Sequence, residues 1–198
     1  MSKAFEEHMK RINPTGVEWA DMTEQQQLEL REKWDAVVSV PDNLNCSCPR
    51  TGCRNNRNCR FCIALHRYYD CFTDCFDPLG LEMQTGIPPE KRFDMHTKMQ
   101  STNNPPEGII DPSDPDGSRE RLNRMNSPEQ MRKVLATWDE VVRNPKNTAC
   151  NCPRTDCWYH GNCVKCAALH RYHSGFPNCF RYLADEVEAY AEKYRQSI

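Results

Sequence analysis

Residues 46–68 read CSCPRTGCRNNRNCRFCIALHRY, and residues 150–172 read CNCPRTDCWYHGNCVKCAALHRY. An offset of 104 residues carries one string onto the other without a gap. It pairs Cys46 with Cys150, Cys48 with Cys152, Cys53 with Cys157, Cys59 with Cys163, Cys62 with Cys166 and His66 with His170. Cys75 and Cys179 follow downstream as a further pair. Of the 13 cysteines only Cys71 has no counterpart, and Gly175 stands opposite it. Self-similarity at a fixed period marks a duplicated unit. The positions that both copies kept show what that unit requires.

The match extends upstream, where WDAVV at 34–38 faces WDEVV at 138–142. Thr23 with Gln26, and Ser127 with Gln130, form capping boxes, and Pro128 suits a first helical turn. Met131, Val134, Leu135, Trp138, Val141 and Val142 recur at helical spacing. An amphipathic helix is therefore expected before each cysteine string, packing its stripe on a metal module. Residues 77–126 hold Pro88-Pro89, Pro105-Pro106 and the stretch DPSDPDG at 111–117, which is turn and linker chemistry. That acidic stretch misses a calcium-loop pattern because Pro115 stands at a ligand position. Leu183, Val187, Tyr190 and Tyr194 share one face of an expected C-terminal helix. The organisation read from these signals is an N-terminal segment 1–22, a cysteine module 23–76, a proline-rich linker 77–126, a second module 127–181 and a terminal helix 182–198. The fold class is mostly α with irregular metal-stapled loops. Two zinc-ribbon or knuckle-like modules are expected, each with a preceding amphipathic helix and a ligand-bearing helix.

Hydrophobic residues make up 38% of the 198, a figure that includes the cysteines. The mean hydropathy is −0.85. Small modules this poor in apolar side chains need a covalent or metal staple. Disulfides belong to oxidising compartments and metal sites to reducing ones. Residues 1–20 contain no apolar run of signal-peptide length, and no apolar stretch is long enough for a membrane span. The expectation is a cytoplasmic protein whose cysteines ligate metal, with no membrane partner.

In the second copy Cys150, Cys152, Cys157, His160, Cys163, Cys166, His170 and Cys179 supply eight candidate ligands, enough for two tetrahedral zinc sites. On a helix Cys163, Cys166 and His170 fall at i, i+3 and i+7 and face one side. The C-x-C-P-R-T-x-C loop presents further sulfurs, and Cys179 returns as a closing ligand. The first copy offers Cys46, Cys48, Cys53, Cys59, Cys62, His66 and Cys75, with Asn56 where His160 stands. Cys71 could be its eighth ligand. A bridging thiolate, or a single metal, would also satisfy seven. His173 reads as a surface residue, while His8 and His96 carry no pattern.

Arg50, Arg54, Arg57, Arg60 and Arg67 lie within 46–69 with no acid among them. Arg50 and Arg67 recur as Arg154 and Arg171. Hydrogen bonds to metal-bound sulfurs are their first expected role, and a nucleic-acid patch through Arg50, Arg54, Arg57 and Arg60 is the lesser one. The net charge of −2 argues against a globally basic nucleic-acid binder.

The string C-x-C-P-R-T-D-C-x-x-H-G-N-C-x-x-C-x-A-L-H-R with a later Pro-x-Cys resembles a short cysteine-rich domain of bacterial cytosolic proteins of uncharacterised function. The resemblance covers 150–180 closely and 46–76 with departures at Asn56 and Arg57. Members usually carry one copy, so this chain would be a tandem duplication. The family brings no activity and implies a metal-binding module.

No nucleophile–base pair, phosphate loop or dinucleotide fingerprint is present. Closed four-ligand sites also leave no position for a catalytic water. The expected function is therefore non-enzymatic, a zinc-binding adapter or regulatory protein with protein partners and about two metals per module. An iron–sulfur redox protein of an anaerobe and a metal storage or transfer protein are the alternatives.

Overall fold

The computed structural model describes residues 3–95 and 128–198. The expected cap at Ser127, both proline pairs' later member at 105–106 and the acidic stretch 111–117 lie outside them. The described helices are α1 (Lys3–Ile12), α2 (Glu24–Ser39), α3 (Pro41–Leu44), α4 (Cys59–Tyr68), α5 (Asp77–Met83), α6 (Pro128–Arg143), α7 (Pro145–Thr148), α8 (Cys163–Tyr172) and α9 (Arg181–Gln196). The chain is mostly α. A zinc ribbon would bring strands, and none occurs among the described residues.

Local chemistry explains the helix starts. Thr23 and Gln26 close the expected capping box on α2, satisfying two of the donors that a helix N-terminus leaves unpaired. Pro41 and Pro145 open the short helices α3 and α7. The helices that carry the C-x-x-C pairs, α4 and α8, begin alike, with Asn58 accepting from the Phe61 amide and Asn162 from the Lys165 amide. Each ends on a left-handed residue at the same repeat position, Asp70 (φ 46°) and Ser174 (φ 51°).

The upstream helices do pack on the C-x-x-C helices, but on those of the other copy. α2 lies against α8, while α6 and α7 lie against α4. Leu30, Trp34 and Val38 share a buried cluster with Tyr159, Ala168 and Leu169. Reciprocally, Val141 and Val142 bury against Leu65, Tyr69 and Cys71. α4 and α8 also touch each other. The two copies thus form a pseudo-symmetric pair within one chain, each burying its apolar stripe in its twin.

At the centre of this pair stand four phenylalanines from two repeat positions, Phe72 with Phe176 and Phe76 with Phe180. Phe72 and Phe176 stack with centroids 4.6 Å apart, and the cross pairs Phe72–Phe180, Phe76–Phe176 and Phe76–Phe180 each stand at 5.9 Å. Full burial of one such ring is worth about 2–3 kcal/mol, and each well-placed pair adds about 1 kcal/mol.

Residues 77–95 also join the core. α5 packs on α9, and Ile87 and Met95 are buried. Gly80 is needed here because a Cβ would press on the Met95 sulfur and on Phe72. Gln84, fully buried, donates to the Gly80 carbonyl at 3.2 Å and accepts from the Phe93 amide. By the same offset α5 matches the first turns of α9, with Leu79 opposite Leu183 and Met83 opposite Val187. The repeated unit therefore runs further than the cysteine strings suggest. On α9, Leu183 and Val187 of the shared face are buried, joined by Ala184 and Ala191. Tyr190 remains partly exposed and its hydroxyl donates to the Lys91 carbonyl at 2.6 Å.

Candidate metal centre

The cysteine loop after α7, the start of α8 and the chain after α8 converge on a cavity of about 70 Å³. All eight candidates of the second copy line it: Cys150, Cys152, Cys157, His160, Cys163, Cys166, His170 and Cys179. Trp34 and Ile12 from the N-terminal half, and Ile63 and Arg67 from the first copy, supply other walls. Among the described residues no three His, Cys, Asp or Glu side chains converge on one point in ready-made metal geometry. The candidates surround a space instead. All thirteen cysteines are free thiols.

Burial raises these thiols, because a thiolate in an apolar surrounding loses its hydration. Cys166 is pushed well above the ordinary thiol value first by burial, then by Cys179, Cys157, Cys163 and Cys152. Cys179 is raised to about 12 by burial, while Arg67 of the first copy opposes the rise. Cys157 and Cys163 also rise, mainly through burial. The first copy repeats the pattern. Cys62 rises well above the usual value through burial and then Cys75, Cys53, Cys48 and Cys59. Cys59 reaches about 11 through burial, Cys75 and Cys46. In the second copy the six paired cysteines line one cavity, and in the first Cys46, Cys48, Cys53, Cys59, Cys62 and Cys75 influence one another's charge. Sulfur and imidazole donors in such a group fit a borderline or soft cation such as Zn²⁺, whose charge would offset the mutual repulsion of thiolates.

The sulfurs also receive hydrogen bonds. The Asn55 amide donates to Cys53 Sγ at 3.4 Å, and Asn178 Nδ2 donates to Cys152 Sγ at 3.3 Å. At the position paired with Asn178, Asp74 accepts from Cys48 Sγ at 3.0 Å. Burial and this carboxylate raise Cys48 to about 12, and Arg50 pairs with the same Asp74 at 3.0 Å. Asp74 and Asn178 escape a search for metal-ligand residue types. Their signal is their shared place one residue before the closing cysteine.

The three candidate histidines differ in their partners. His160 Nδ1 lies 3.0 Å from the Arg154 carbonyl. A carbonyl only accepts, so Nδ1 carries the proton and Nε2 keeps its lone pair. Asn56, in the paired place, donates to the Arg50 carbonyl at 3.3 Å. The common duty of this position is thus the carbonyl bond, and only the second copy places an imidazole there. His66 Nδ1 meets Cys71 Sγ at 3.3 Å, and His170 Nδ1 meets His8 Nε2 at 2.8 Å. His8 showed no pattern in the sequence, yet it is only 2% exposed.

The arginines mostly tie the copies together. Arg171 donates to the Asn43 and Asn45 carbonyls at 2.7 and 3.0 Å and to Ser47 Oγ at 3.2 Å. Arg67 makes the matching bonds to Asn147 and Ala149 at 3.1 and 3.2 Å. Each thus fastens the segment leading into the other copy's first cysteine. The Arg171 guanidinium also opposes a rise at Cys75 caused mainly by burial. Of the suggested nucleic-acid patch, Arg50 is held by Asp74, Arg54 by Asp139 and Arg60 by the Thr148 carbonyl. Among the described residues no helix is long and apolar enough to cross a membrane. Compared with known proteins, the chain matches no family model, no curated protein and no solved structure.

Proposed function

We propose that this chain is a non-enzymatic zinc protein whose metals staple two reciprocally packed modules, and that it acts as an adapter or regulatory partner of other proteins. The observation that carries the reading is the single cavity lined by all eight candidate ligands of the second copy. Cys150, Cys152, Cys157, His160, Cys163, Cys166, His170 and Cys179 hold metal there, and Cys46, Cys48, Cys53, Cys59, Cys62, His66 and Cys75 do so in the first copy. The metal supplies positive charge that keeps buried thiolates ionised and cross-links loops with little regular structure. Such a role asks for no catalytic water. The buried Cys71, engaged with His66, also suits a structural site better than one that hands metal on.

Removal of metal from the full chain tests this. A strong chelator should abolish most far-ultraviolet helical signal or lower the melting temperature sharply, and zinc should restore it. A chelated chain that keeps its melting temperature would refute the structural role.

A further inference from the structure

The two copies each partner the Nδ1 edge of a half-buried histidine, and they draw the partner from different places. In the first copy Cys71 follows α4 and puts Sγ 3.3 Å from His66 Nδ1. The second copy has Gly175 at that position. Here α1 inserts His8, whose Nε2 lies 2.8 Å from His170 Nδ1. A Cβ on Gly175 would overlap the His8 ring, so the absence of a side chain is what admits it. Arg11 anchors the same helix, donating to the His173 and Ser174 carbonyls at 2.8 and 2.9 Å.

The hydrogen-bond directions follow from the neighbours. His8 Nδ1 faces the His173 carbonyl at 3.3 Å. A carbonyl can only accept, so the single proton of a neutral His8 sits on Nδ1 and Nε2 is an acceptor. With Nε2 of His8 accepting, His170 Nδ1 is the donor of the 2.8 Å bond. In the first copy the Cys71 thiol points to the His66 carbonyl at 3.5 Å. Its sulfur lone pairs are left to accept from His66 Nδ1. Both histidines reach the same tautomer by different means.

We propose that Cys71 and His8 are positioning residues for the metal-binding imidazoles: Cys71 Sγ accepts from His66 Nδ1 and His8 Nε2 from His170 Nδ1, so that each histidine meets its metal through Nε2. The assignment rests on the zinc reading above. It gives Cys71 a role outside the ligand set, and makes α1 part of the second metal centre. Metal-bound histidines generally donate their other ring N–H to an acceptor, and loss of that acceptor weakens the metal about 10–100-fold.

Two measurements on the full chain test it. The first is a long-range proton–nitrogen spectrum of the zinc-loaded wild type. His66 and His170 should each show a metal-bound Nε2 and a protonated Nδ1. The second is zinc release to a chelator, resolved by module through mass-spectrometric alkylation of the freed cysteines. His8→Ala should speed release from the second module about 10–100-fold and spare the first. Cys71→Ala should do the reverse, and Cys71→Ser should retain part of the wild-type hold. His8→Ala combined with Gly175→Cys grafts the first copy's arrangement onto the second and should slow release again. Metal bound through Nδ1, equal effects on both modules, or no rescue by the graft would overturn the assignment alone. A wild type without bound metal would overturn the zinc reading and this assignment with it.

Discussion

Arg171→Ala offers a sharp test of the exchanged packing. Arg171 belongs to the second cysteine string, yet its guanidinium holds the Asn43 and Asn45 carbonyls and Ser47 Oγ of the first. Hydrogen bonds from a charged donor are worth about 1.5–3 kcal/mol when buried. The site is partly exposed, so about 1 kcal/mol each is the appropriate scale. Three bonds then give a loss of about 2–3 kcal/mol, or a fall of about 5–10 °C in Tm for a chain of this size. The informative readout is where the damage lands. In timed alkylation with mass-spectrometric detection, Cys46, Cys48 and Cys75 of the first copy should react faster, while Cys163 and Cys166 beside the substitution should not. Arg67→Ala should reverse the pattern and expose Cys150 and Cys152. A stability change below about 0.5 kcal/mol, or damage confined to the copy that carries the substitution, would refute the exchanged arrangement.

Further expectations are as direct. Burial lifts Cys59 to about 11 and Cys48 and Cys179 to about 12, all above the ordinary 9.0. With folded values raised, the metal-free thiols stay protonated at neutral pH. Zinc loading should therefore release on the order of one proton per ligating thiol, and affinity should rise with pH from 6 to 9. Calorimetry in buffers of different ionisation heat measures this, and uptake of zinc without proton release would contradict thiolate ligation. Phe76→Ala removes a fully buried ring from the central four and should cost about 3–5 kcal/mol by chemical denaturation. Arg57 occupies a left-handed conformation (φ 64°) where the other copy has Gly161 (φ 79°). Arg57→Gly should consequently leave stability unchanged or raise it by up to about 1 kcal/mol, whereas Gly161→Ala should lower it. Tyr159→Phe deletes the hydroxyl that donates to Asp35 at 2.7 Å and should cost about 1 kcal/mol, again coupling the second string to α2.

Much of the helical framework is legible in the residues themselves. Thr23 with Gln26, and Asn58 and Asn162 before C-x-x-C, are local signals, and local signals act within one turn. The cysteines that gather in each copy are legible too, because duplication singles them out. What the sequence conceals is which copy each stripe covers. Trp34 and Trp138 occupy identical contexts, and their helical periodicity says only that one face is buried. The choice of the twin's helix is a three-dimensional matter settled by packing both stripes at once. The phenylalanines at 72, 76, 176 and 180 are a different case. Their identity across the repeat is plain in the sequence, but an aromatic pair alone does not say that it is buried between the copies. α5 was masked by Pro78 and Gly80, which read as linker residues. Pro78 suits a first helical turn, and Gly80 makes room for Met95. His8 could not be found by repetition, since it serves one copy from outside the repeated unit. Its only trace is negative, the glycine at 175 where the first copy has Cys71.

Metal at the two cysteine groups is tested most directly by the metal content of the full chain purified without oxygen, together with its absorption spectrum. Two tetrahedral sites per module predict about four zinc per chain and no visible band. A chain with no bound metal would contradict the account, and iron with a broad visible absorption would replace it with a redox cluster.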